Sequence, residues 1–143
     1  MPDIYTYIFF ILFLTETMWD LFFKNDTIHC MSNITGLHKI KLILLFIVHH
    51  LLSTFLIFGW IINSRIITIL YLVSLVIVIG SWQIYDGLCY LTVMQNDMCG
   101  SNKKKPFNHF FQLMKIDENQ KNKKYYYGIL IIGITVSLYK LFT

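Results

Sequence analysis

The sequence predicts an all-α integral membrane protein with four transmembrane helices and a short interfacial amphipathic helix. Three observations carry that expectation. Apolar stretches of bilayer length recur along the 143 residues. Hydrophobic residues make up 56% of the chain and charged ones 14%, too few charges to clothe a soluble domain of this size. The lysines collect in two of the connecting segments, where membrane topology accounts for them.

The first span is expected at about 4–23, beginning IYTYIFFILFL and ending in the more polar TETMWDLFF. The second runs over about 41–62, and only Asn63-Ser64-Arg65 separates it from the third, at about 66–85. The fourth occupies about 125–142, led in by Tyr125, Tyr126 and Tyr127 at the place of an interfacial aromatic belt. Each stretch offers about 18–22 residues, enough at 1.5 Å rise per residue to cross a core of about 30 Å. The N-terminal stretch lacks a basic leader and a small-x-small cleavage site, so it reads as a retained helix.

Charge sets the expected orientation. Lys24, Lys39 and Lys41 lie in or beside the segment 24–40, and Lys103, Lys104, Lys105, Lys115, Lys121, Lys123 and Lys124 in the segment 86–124. The other side has Arg65 and Lys140 alone. The positive-inside rule therefore places both segments in the cytoplasm, with both termini and the Asn63 hairpin opposite. On that orientation the glycosylation-like tripeptides at Asn25 and Asn33 are chance matches. The odd set Cys30, Cys89 and Cys99 reads as free thiols in a reducing compartment.

Within the second connecting segment, 103–116 has its own character. Lys103, Lys104 and Lys105 precede Phe107, Phe110, Phe111 and Met114, whose i, i+3, i+4, i+7 spacing makes one helical face. A basic cluster beside an aromatic face suits an interfacial helix on anionic lipid headgroups; packing on the protein's own spans is the bland alternative. The expected partners are the lipid bilayer, anionic headgroups, and a protein partner or second copy. Nucleic acid is not expected, because the lysines flank spans and form no aromatic-interleaved folded face.

Ionisable residues at membrane depth are the strongest functional pointers, since each is costly unless paired or hydrated. Glu16 and Asp20 lie on the first span, His49 and His50 on the second. Counted from the expected span ends, Glu16 is roughly 10 Å deep and the histidines roughly 12–13 Å, so Glu16 is expected to meet a histidine. Asp20 lies one turn shallower, and Trp82, Asp86 and Cys89 near the same level or above. Such a layer would bind a metal, relay a proton or hold a headgroup. The structural alternative is a Glu–His pair that fixes helix packing, and it carries more weight. Adjacent histidines diverge by about 100° on a helix, so no metal site is expected. Nucleotide-binding glycine loops, nucleophile elbows and HExxH motifs are lacking, and no cofactor is expected.

The stretch from His49 to Cys99 carries a further pattern: a histidine on one span, Phe58-Gly59 near its end, then Trp82, Cys89, Leu91-Thr92 and Asn96. It resembles an uncharacterised family of small bacterial inner-membrane proteins, a domain of unknown function with the motif C-P-L-T-x-x-E-N. Tyr90 stands at the family's Pro and Gln95 at its Glu. The resemblance covers about a third of the chain and marks His49, His50 and the run Cys89, Thr92, Asn96 without giving them a role. Similar proteins of large DNA viruses fit the absence of alanine and the wealth of Ile, Phe, Tyr, Asn and Lys, which point to an AT-rich genome. A structural or scaffolding role in a viral or intracellular membrane is the first expectation. A small enzyme or transporter-like protein using the Glu/His cluster is the second.

Overall fold

The computed structural model describes residues 4–85, 88–100 and 120–143, and these are helical with no strand among them. Among the described residues six α-helices follow one another: α1 (Ile4–Phe23), α2 (Asn25–Ser32), α3 (Gly36–Phe58), α4 (Arg65–Ile84), α5 (Tyr90–Met98) and α6 (Gln120–Phe142). A single 3₁₀ turn, Gly59–Ile61, extends α3. Three of these helices are long and apolar enough to cross a membrane: α1, α3 with its 3₁₀ turn, and α4. The described apolar part of α6, Tyr127–Phe142, is shorter. The proposed interfacial segment 103–116, with Lys103, Lys104, Lys105, Phe107, Phe110, Phe111 and Met114, lies outside the described residues, as does Asp86.

Two boundaries differ from expectation, both where the polar connections fold. The segment 24–40 is not a loop: α2 occupies its first part, and α3 starts at Gly36 rather than Lys41. Gly36 has φ +61°, the left-handed conformation that glycine adopts without a Cβ penalty, and this turns the chain into α3. In the second segment α5 fills 90–98, and Gly100, just beyond its C-cap Cys99, again has positive φ. Sequence hydropathy passes over both short helices because their apolar residues are too few to resemble a span.

The burial pattern is that of a protein whose solvent is lipid. Val76 and Ile84 are each 72% exposed, while Glu16, Asp20, His50, Thr54 and Gln95 are buried. With no water to satisfy polar groups in hydrocarbon, they turn inward and the aliphatic groups face out. Helix α3 is the hub, with α1, α4, α5 and α6 all packed on it, and α6 also lies along α4. One apolar cluster joins these last three helices through Leu56, Tyr71, Leu75, Val78 and Leu130. Another gathers Cys30, Leu42 and Phe46 with Leu21, Met31 and Met98 around the opposite end of α3.

The turn between α3 and α4 shows how local chemistry closes a helix end. The last carbonyls of a helix have no partner within it. Here Tyr71 donates its hydroxyl to the Leu56 carbonyl at 3.2 Å, and Trp60 Nε1 donates to Ile57 O at 2.7 Å. Lys140 of α6 brings its ammonium to the carbonyls of Trp60, Ile61 and Ile62 at 2.9, 3.3 and 3.2 Å. Ser64 then caps α4, its hydroxyl accepting from Ile67 N at 3.5 Å. The close approach of α6 requires Gly133, since a Cβ there would run into the Tyr71 hydroxyl and the Trp60 ring.

Candidate functional site

The polar residues of α1 and α3 meet in two rungs one helical turn apart. Asp20 Oδ2 lies 3.3 Å from His50 Nε2. One turn deeper, Thr54 donates its hydroxyl to Glu16 Oε2 at 2.8 Å. The residue numbers of the two pairs add to the same total, as they must where antiparallel helices keep register. The expected meeting of Glu16 with a histidine is therefore corrected: Asp20 takes the histidine and Glu16 takes Thr54. The two spans do not end level: α3 extends to Gly36, well past the Phe23 end of α1 and alongside α2, so His50 lies opposite Asp20, nearer that end than Glu16.

Each rung is tied into its surroundings. His50 Nδ1 donates to the Phe46 carbonyl at 2.7 Å, since a carbonyl only accepts. Nδ1 thus holds a proton, and the Nε2–Oδ2 contact to Asp20 is attractive only with another proton between those atoms. Asp20 Oδ1 accepts from Thr27 of α2 at 3.2 Å and lies 3.5 Å from Lys24 Nζ. Thr54 also lies 2.9 Å from the His50 carbonyl, one turn back along α3. Glu16 Oε1 is buried with no hydrogen-bond partner.

His49 points away from this row, as neighbours on a helix must, and its ring centroid lies 6.4 Å from that of His50. It meets α5 instead, where Nδ1 donates to Gln95 Oε1 at 2.8 Å. Thr92, Gln95 and Asn96 share the buried face of α5 at i, i+3 and i+4. Trp82 does not join the layer: it packs with the α3–α4–α6 cluster, edge-on to Tyr127 at 6.3 Å.

Above the layer, α2 and α5 are joined by a disulfide between Cys30 and Cys99, their Cα atoms 5.2 Å apart. The expectation of three free thiols is corrected here. The two lie 69 positions apart in sequence, so no spacing motif announces the pair; α3 and α4 bring it together by returning the chain to the same end of the bundle. Cys89 alone is free. It precedes α5, and burial pushes its thiol pKa up against the opposing hydrogen bonds of the Leu91 and Thr92 backbone.

Of the residues singled out from sequence, Glu16, Asp20 and His50 come together between α1 and α3, while His49 turns to α5, where Thr92 and Asn96 are buried. Thr27, Thr54, Lys24 and the Cys30–Cys99 bond were missed as members of the site. Among the described residues no three His, Cys, Asp or Glu side chains converge to hold a metal ion. Compared with family models, curated proteins and solved structures, the chain gives no match.

Proposed function

We propose that this is a four-span, multi-pass membrane protein with a structural or scaffolding role, in a viral or intracellular membrane, and that its polar layer locks helices together. The observation that carries the reading is the pairing of Asp20 with His50, Thr27 and Lys24, which ties α1, α2 and α3 into one unit. Glu16–Thr54 adds a second link between α1 and α3, and His49–Gln95 extends the pattern to α5. Groups at membrane depth that bond one another need no ligand to account for their presence.

What supports the fourth span is the depth that α6 covers. Its Tyr127 end meets Trp82 near the end of α4, while Lys140 reaches the turn before the start of α4. The resemblance to the unassigned membrane family is compatible with the same reading, because His49, one of the two histidines that could match its pattern, bonds to Gln95, which stands in place of its Glu.

A second reading, a proton- or headgroup-handling protein, draws on Glu16, whose Oε1 is buried without a partner. Asp20→Leu, His50→Leu and the double variant separate the two. A lock predicts that each single change destabilises by about 2–4 kcal/mol, because it strands a buried partner, and that the double change recovers at least half of the larger loss. Additive losses would refute the lock. Glu16→Gln that folds normally but abolishes proton flux across reconstituted vesicles would favour the second reading.

A further inference from the structure

We propose that the face carrying α2, α5 and the Cys30–Cys99 disulfide lies on the exoplasmic side of the membrane, in an oxidising compartment. This reverses the orientation that counting lysines predicts. The bond is part of a packed interior: Cys30 is 8% exposed, and both cysteines pack with Leu42 and Phe46. Disulfides facing the cytosol are rare there, and those that form are mostly transient, catalytic or redox-sensing. Such bonds need a sulfur that an attacking thiolate reaches, whereas Cys30 is buried in a cluster with Leu21, Met31, Ile34 and Met98 and Cys99 is half-buried against it. The Cys30–Cys99 bond thus has the setting of a permanent cross-link.

Forming it removes two protons and two electrons from the thiols of Cys30 and Cys99. The electrons pass to the disulfide of a thiol–disulfide oxidoreductase, through a mixed disulfide that the second cysteine resolves, leaving the enzyme as a dithiol. That class of partner works on the exoplasmic side. The lysine surplus is a bias acting on insertion and supplies no electron acceptor. Part of it is engaged, since Lys24 lies 3.5 Å from Asp20. The tripeptide Asn33-Ile34-Thr35, which has the form of an N-glycan acceptor, begins three residues from Cys30 with Asn33 and Thr35 exposed on this same face.

The N-terminal side of this inference needs only α1 to cross the bilayer; its C-terminal side rests on the four-span reading. The test uses the full chain with Cys89→Ser and epitope tags at both ends, made in sealed microsomes. Maleimide-polyethylene glycol added after denaturation is expected to give no adduct until a reductant is supplied, then two. A single adduct without reductant is expected for Cys30→Ser. Protease outside intact vesicles is expected to remove the N-terminal tag. Two adducts without reductant, or an N-terminal tag protected while the disulfide is present, would overturn the proposal. Loss of the N-terminal tag with protection of the C-terminal one would leave the proposal standing and refute the fourth span alone.

Discussion

Replacing Cys30 or Cys99 with serine is expected to cost about 3–4 kcal/mol of stability, and the same amount for either residue. The bond spans a sequence separation of 69, and for a freely flexible chain the loop-closure relation gives about 4.4 kcal/mol at 25 °C. A membrane chain is less free than that. Its spans stay helical when tertiary contacts are lost, because bare backbone is too costly in hydrocarbon. With α3 and α4 still inserted, the loop retains only the chain at 31–35 and 85–98, about 19 residues, and the same relation gives about 3.2 kcal/mol. The assay is equilibrium unfolding in mixed micelles, followed by fluorescence of Trp19, Trp60 and Trp82. Cys30→Ser, Cys99→Ser, the double variant and the reduced parent should coincide, since each lacks the same bond. Losses below about 1 kcal/mol, or a double variant far weaker than either single one, would refute the reasoning.

Other expectations concern the far end of the bundle and the free thiol. Gly133→Ala should destabilise by about 1–3 kcal/mol, because the new methyl displaces the Tyr71 hydroxyl from the Leu56 carbonyl; a rise in Tm would contradict this. The opposing gain in helix propensity is only about 1 kcal/mol. Lys140→Met should lower Tm in detergent by exposing the need of three carbonyls at the α3–α4 turn, at about 1–3 kcal/mol. A Lys140→Arg variant should retain most of the stability. Cys89, whose neutral form burial favours, should react with iodoacetamide along a pH profile displaced above that of the unfolded chain. A profile at or below the unfolded one would show that the thiol is not held as described.

What could be read ahead of the structure follows from how each signal is encoded. Spans are written in contiguous residues, so 4–23 coincides with α1, and the hairpin at Asn63 lies where α3 and α4 join. Membership of the polar layer was also legible for Glu16, Asp20, His49 and His50, because charge in an apolar run is conspicuous. The pairing inside the layer was not, since it depends on how far α3 projects past the end of α1, and no residue pattern in the polar segment records that projection. Thr54 escaped notice because threonine is unremarkable in a membrane helix until a carboxylate faces it. The partnership of Cys30 with Cys99 was invisible for a different reason: it is a property of how two spans return the chain, and no local pattern records it.

The distance along the chain between those two cysteines is also an interval of time. At typical synthesis rates of about 5–20 residues per second, Cys30 waits roughly 3–14 s for Cys99 to be made. Gln95 arrives just before it, so His49 has no α5 to bond through most of that interval. Asp20 has His50 and Thr27 much sooner, because α2 and α3 follow α1 directly. Asp20 and His50 are thus both available to pair before the His49–Gln95 and Cys30–Cys99 links can form. Machinery that escorts membrane chains would meet this protein half-latched, with Cys30 as the reactive group on view.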